Sequence, residues 1–326
     1  MSDVNIEKIN AFRPSYVWPN PAIHFRIYYE SDKCRIFLIE NIVHNWKWLK
    51  EWANHIQDRD FFFVSLGWHF DNYLTYESAE ALKILGVDKS KFKILFNDFQ
   101  SKNLFEQYGF HGEIVNQNCF LDFEQFNIRQ SEKLYDAIYT ARFVSFKRHY
   151  LASKVPNLAL VAGNSWQSKE EELEIPKYAF LNDKRLTPEE VAIKISESKV
   201  GLILSESEGA CYSSSEYLLC GLPVVSTWSN GGRSVWLNDY NSIICDANPD
   251  AVEKSVTDLI KKKRDPKVIR EMHVRLSNYF RKNFINLHDQ VLASVNDKKI
   301  AKDYFFKNYK HKLFTSETPN FSEIFK

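Results

Sequence analysis

The chain has 326 residues, about twice the usual domain size, so its length calls for two domains. A composition that is 44% hydrophobic and 26% charged is that of a globular protein and excludes a disordered, collagen-like or low-complexity chain. Forty-three Lys and Arg against forty-two Asp and Glu leave a net charge of +1, too little to recruit a polyanion, which excludes a dedicated nucleic-acid binder.

Five widely spaced cysteines without a C-x-x-C pair predict free thiols in a reducing cytosol. The first thirty residues interleave Glu7, Arg13 and Arg26 with short apolar stretches, unlike a signal peptide, and no apolar run approaches membrane-spanning length. These features predict a cytoplasmic protein.

In chain order, Arg35 to Glu40 (RIFLIE) and Phe61 to Leu66 (FFFVSL) read as buried strands around a Trp-rich helix near Trp46 to His55. Lys93 to Phe96 and Glu113 to Val115 are further strands, separated by a helix around Ser101 to Tyr108. The polar stretch Asn127 to Lys133 has no apolar period and marks a boundary, giving an N-terminal domain over 1–130 and a second over 131–284. Beyond it, Asp136 to Thr140, Leu158 to Ala162, Val200 to Leu204, Pro223 to Thr227 and Ser242 to Cys245 read as short buried strands. Helix starts lie between and after them: Thr187 with Pro188 and Glu190 forms a capping box, and Asn248 with Pro249 and Asp265 with Pro266 repeat the signal. Such alternation predicts an α/β protein with mostly parallel sheets covered on both faces. Residues 285–326 read as a helical tail whose Tyr304, Phe305, Phe306, Tyr309 and Phe314 predict packing against the N-terminal domain.

Glycine is scarce, with ten in the chain against an average share near 7%, so its placement is informative. Gly201, Gly209, Gly221, Gly231 and Gly232 all fall within VGLILSESEGACYSSSEYLLCGLPVVSTWSNGG, residues 200–232. There a strand ends at Leu204, a loop follows, and a short helix begins near Ser213 and stops at Gly221. The loop beyond a parallel strand's carboxyl end binds ligands, and the following helix start binds anions. Glu208 and Glu216 flank that cradle. Glu216 also fits a capping box with Ser213, and Glu208 also fits a solvated loop carboxylate.

The order Glu208, seven residues, Glu216, apolar helix, Gly221, Pro223, Val224, Val225 and then Gly231 and Gly232 resembles the retaining GT-B glycosyltransferases of the "group 1" family with their E-x7-E motif. Arg142 and Lys147 reproduce the family's Arg-x4-Lys after the first strand of the C-terminal domain, and Asn116 to Phe126 resembles its phrase before the interdomain linker. The resemblance covers residues 93–260. It implies two Rossmann-like domains facing a cleft, with a nucleotide sugar as co-substrate and no metal. It further implies Glu208 at the donor sugar's hydroxyls, Glu216 at the nucleotide ribose, Arg142 and Lys147 at the phosphates, and Gly209, Ser213, Ser214 and Ser215 around them. Transfer with retention to a glycan or lipid-linked acceptor, as in polysaccharide biosynthesis, is the implied reaction. A nucleotide-sugar epimerase or hydrolase, or a catalytically silent scaffold, would use the same fold. Two departures stand out. Ala210, Cys211 and Tyr212 replace a stretch with a second family glycine, and the glycine pair after the first N-terminal strand is missing.

His69, in GWHFDN after FFFVSL, sits where a family histidine contacts the donor; Asp71 is the neighbouring alternative, and a plain loop histidine is a third reading. Asp58, Arg59 and Asp60 have the D-x-D form but precede their strand, which favours a solvated turn over a metal site. Lys261 to Lys282 carries nine Lys and Arg against Asp265 and Glu271, with Ile269, Met272, Leu276, Tyr279 and Phe280 at helical spacing. A solvated helix face is the default reading; a peripheral contact with anionic lipid is the alternative.

Overall fold

The computed structural model describes residues 6–17, 26–163 and 175–313; Phe314 of the tail aromatics lies outside them. The chain divides into two compact units, one made of Met1–Phe120 with Tyr279–Lys326 and the other of Leu121–Asn278.

The first unit begins with α1 (Ile6–Ala11) and holds a five-stranded sheet in the order β1-β2-β3-β4-β5. Its strands are β1 (Arg26–Glu30), β2 (Arg35–Glu40), β3 (Asp60–Ser65), β4 (Phe92–Phe96) and β5 (His111–Ile114), connected after β2 by α2 (Trp46–Trp52), α3 (Asn72–Leu85) and α4 (Phe99–Gln107). Strands β2 to β5 are parallel, and β1 adds an antiparallel edge that the sequence did not reveal. Phe37, Phe62 and Phe92 are neighbours across three strands and stack with centroids 5.1 and 4.6 Å apart. Because the parallel strands succeed one another in one direction, right-handed crossovers carry α2, α3 and α4 to a single face. Phe105 of α4 accordingly meets Phe96, which points to the same side as Phe92.

The opposite face needs another cover. Phe63 points there, and its ring meets Phe284 of α8 (Pro266–Ser294), which also receives Tyr28 and Phe120 edge-on. Further on, α9 (Ala301–Asn308) places Phe305 beside Phe284 and lets the Tyr304 hydroxyl donate to Tyr28 O at 2.6 Å.

The second unit has six parallel strands in the order β11-β10-β9-β6-β7-β8. They are β6 (Tyr135–Thr140), β7 (Leu158–Val161), β8 (Phe180–Leu181), β9 (Ser198–Ile203), β10 (Val224–Thr227) and β11 (Ser242–Cys245). Helices α5 (Pro188–Ser196), α6 (Tyr212–Leu219) and α7 (Pro249–Lys262) connect or follow them. The order reverses between β6 and β9, the doubly wound pattern in which a crevice opens at the carboxyl ends of those two strands. The Thr187–Glu190 capping box forms at α5, and Asn248 caps α7. Gly201 leaves β9 bare where a Cβ would lie 2.3 Å from the Tyr217 ring, so α6 packs directly on the strand.

The units divide at Leu121, a few residues before the polar stretch that the sequence marks. Arg270 accounts for this: its guanidinium donates to the carbonyls of Phe123, Phe126 and Leu219, holding residues 121–126 in the second unit. In the basic run, Arg281 likewise donates to Cys119 O, and Arg264 stacks on Tyr240. Part of that positive charge therefore serves internal packing. Among the described residues no helix is long and apolar enough to cross a membrane.

Candidate functional site

The site grows from the two loops that flank the reversal of strand order in the second unit. The loop after β6 carries Arg142, Lys147 and Arg148; the loop after β9 carries Glu208, Gly209 and Cys211. Glu206 N donates to Phe146 O at 3.0 Å and ties the two loops together. Lys147 Nζ then forms an ion pair with Glu208, both side chains being largely enclosed. The Tyr139 hydroxyl donates to Lys147 O at 2.7 Å and fixes the backbone beneath it. Arg142 is exposed at the mouth of the same loop.

A third loop, after β10, straps the Glu208 segment from the other side. Glu208 N donates to Asn230 O, Asn230 N to Glu206 O, and Gly232 N to Gly209 O at 2.7 Å. Gly231 permits the approach, since a Cβ there would stand 1.7 Å from Glu208 O and its φ is +99°. The glycine pair thus serves backbone packing against the Glu208 loop.

Helix α6 starts one residue earlier than the sequence suggests, and this corrects the capping-box reading of Glu216. Cys211 is the N-cap, so Ser213 is the second helical residue and Glu216 the fifth, beyond the reach of a reciprocal cap. Glu216 lies buried inside the unit. The serine side chains are turned to the protein itself. Ser213 Oγ donates to Thr140 O (2.7 Å) and Ser214 Oγ to Cys211 O (2.7 Å), while Ser215 is fully buried with no hydrogen-bond partner for its Oγ among the described residues. The hydroxyls of Ser213 and Ser214 thus anchor the start of the helix, whose first backbone amides have no partner within the helix itself. Tyr217 completes the anchor by accepting from Thr140 N at 2.6 Å.

Cys211 has φ +58°, the left-handed conformation in which the family's second glycine would sit without cost. Burial and the Glu208 carboxylate push its thiol up to about 12, so it is no nucleophile at neutral pH. Strand β2 ends at Glu40, and Asn41 turns the chain beyond it at φ +56°. Burial raises the Glu40 carboxyl to about 7.

Two arginines at the site have no warning in the sequence pattern. Arg148 Nε donates to Leu204 O (2.7 Å) and its Nη2 to Thr227 Oγ1 (2.8 Å). Arg233, 1% exposed, donates from Nη1 to Ser205 Oγ and from Nη2 to Thr227 O, both at 2.6 Å. Three cations, Lys147, Arg148 and Arg233, therefore stand around the Glu208 loop, a locally positive balance suited to an anionic ligand.

The first unit holds the remaining candidates. His69 is half-buried in the loop after β3, with Nδ1 enclosed and unpartnered among the described residues. Asp71 caps α3, accepting from Leu74 N at 2.8 Å, which gives it a structural task. The D-x-D reading is corrected as well: Asp60 is no solvated residue but is fully buried and paired with Arg35 at 2.8 Å. Among the described residues no three His, Cys, Asp or Glu gather closely enough to ligate a metal.

Residues 131–283 match the family of glycosyl transferases group 1. No curated protein matches the chain by sequence. Among solved structures it is similar to HepE of Anabaena in complex with UDP, at 14% identity and TM-score 0.57 over 79% of this chain and 78% of that one. Sucrose-phosphate synthase of Thermosynechococcus elongatus is similar at 12% identity and TM-score 0.55, over 83% and 74%. A glycosyltransferase of Rickettsia africae is similar at 15% identity and TM-score 0.53, over 82% and 76%. At these identities the structural likeness speaks for the fold, two Rossmann-like units of the GT-B class, and the family match speaks for the second unit. It is thus residues 131–283, the bulk of the second unit, that are similar to the glycosyl transferases of group 1.

Proposed function

We propose that the protein transfers a sugar from a nucleoside-diphosphate sugar to a hydroxyl of a glycan or lipid-linked acceptor, with retention and without a metal ion. The observation that carries this reading is the Lys147–Glu208 pair at the reversal of strand order, set beside the start of α6. In the reaction the bond from the sugar's anomeric carbon to the diphosphate oxygen breaks, the acceptor oxygen bonds to that carbon, and the acceptor's proton passes to the departing diphosphate. Negative charge grows on the diphosphate as it leaves, and fixed cations there stabilise the transition state more than the ground state. Lys147 and Arg142 supply that charge, with the first amides of α6 beside them. Glu208 meets the donor sugar and Glu216 the ribose. The likeness in fold to HepE, solved in complex with UDP, makes a uridine diphosphate sugar the first donor to try.

A thermal-shift screen against UDP, GDP, CMP, ADP and dTDP sugars tests the reading. A ligand at one hundred times its dissociation constant adds about 2.7 kcal/mol of stability, so the true donor class stands out from the others. Transfer in excess EDTA should proceed at the full rate. An absolute requirement for manganese or magnesium would overturn the metal-free mechanism.

A further inference from the structure

Arg233 poses a problem that its hydrogen bonds do not solve. Taking a guanidinium out of water is expensive unless its charge is compensated, yet both of its acceptors, Ser205 Oγ and Thr227 O, are neutral oxygens that an uncharged side chain could also satisfy. Arg148 reaches the side-chain oxygen of the same Thr227, so two like charges converge on one residue at the end of β10. Burial works against the Arg233 charge, and among the groups that favour it Glu208 is the one ionised at neutral pH. By position, Arg233 follows the Gly231–Gly232 strap that holds the Glu208 loop by backbone contacts, and it grips Ser205 at the root of that loop. It therefore ties the root of that loop to the end of β10 and lies close enough to Glu208 for the carboxylate to favour its charge.

We propose that Arg233 is a positioning residue for sugar transfer, acting through the Glu208 loop: it splints the ends of β9 and β10 and supplies a fixed positive charge toward Glu208. The proposal rests on the reading of Glu208 as the residue that meets the donor sugar. It does not place Arg233 against the diphosphate, because at 1% exposure the side chain is closed to a ligand.

The test uses the full chain with Arg233→Met, which keeps volume and removes charge and splint, and Arg233→Lys, which keeps the charge. Arg233→Met should lower kcat about a hundredfold with UDP-glucose while the UDP dissociation constant stays within about threefold. Arg233→Lys should recover at least about tenfold of that loss. Unchanged kcat in Arg233→Met, a parallel loss of UDP affinity, or equal damage from both variants would overturn the proposal, the last by reducing Arg233 to packing. Should Arg233→Met fail to fold, Ser205→Ala removes one anchor without touching the charge and should lower kcat about fivefold; an unchanged rate counts against the proposal. Amide exchange separates this inference from the donor reading. It is measured without ligand, and residues 205–211 should exchange about tenfold faster in Arg233→Met. If the wild type binds no nucleotide sugar, the proposed function fails, and unchanged exchange in that loop sinks the splint by itself.

Discussion

The two glutamates of the motif occupy different environments, and that difference predicts different mutant behaviour. Glu208 is paired with Lys147 in a loop strapped from below, so Glu208→Gln should leave diphosphate affinity nearly intact and reduce turnover steeply, because its interaction grows with charge at the reacting carbon. Glu216 stands within α6 beyond any capping role, so Glu216→Gln should weaken binding of the free nucleoside diphosphate by about 1–3 kcal/mol. Calorimetric titration with UDP beside initial rates decides it; equal losses of affinity in both variants would misplace the loop. Cys211 offers a stability test. Cys211→Gly and Cys211→Ala both remove the sulfur, but only alanine retains the left-handed strain at φ +58°, so the glycine variant should be the more stable by about 1 kcal/mol in chemical unfolding. Alanine equal to glycine would show that the turn relaxes.

At the level of elements, the strap after β10 depends on one missing side chain. Gly231→Ala puts a Cβ into Glu208 O and imposes a strained φ, so the strap must detach from the loop it holds. Turnover should fall by more than about a hundredfold while the sheet, and hence the far-ultraviolet spectrum, stays near wild type; an active Gly231→Ala enzyme would show the strap to be dispensable. The parallel strands were legible because strands covered on both faces read as unbroken apolar runs, as in RIFLIE and VGLIL. Strand β1 escaped because RIYYE, at an edge, mixes polar and aromatic residues, and β8 has only two residues, too few for any period. Helix α3 was missed although Asp71 and Gly86 bracket it as cap and stop. The motif glutamates and Lys147 were singled out by the resemblance, and the structure brings Lys147 and Glu208 together. Arg148 and Arg233 were not singled out, since nothing in a linear pattern tells a buried guanidinium from the many arginines that face water.

For the molecule as a whole, the first unit's second sheet face is built partly around a titratable group. His288 of α8 is fully buried among Tyr28, Tyr29, Phe63 and Tyr304, and burial lowers its imidazole to about 4. Folding keeps the ring neutral. Below its ordinary 6.5 the unfolded chain takes up a proton that the folded chain refuses until about pH 4. This contribution is whole above pH 6.5 and is lost progressively as pH falls toward 4, on the order of 3 kcal/mol in all. His288→Phe should flatten the fall of stability across that window and leave stability at pH 7.5 within about 1 kcal/mol. An unchanged acid slope would mean that the ring is already protonated in the fold.

The first unit is written at both ends of the chain, with the second unit wholly between its parts. On the ribosome this reverses the order of completion. Residues 121–278 possess every strand of their sheet once Asn278 has emerged, whereas β2 to β5, made earlier, still lack Phe284, Tyr304 and Phe305 over one apolar face. At about 5–20 residues per second that face waits on the order of ten seconds for its cover. The middle of this chain matures before its beginning, and the interval is when its nascent form most needs a chaperone.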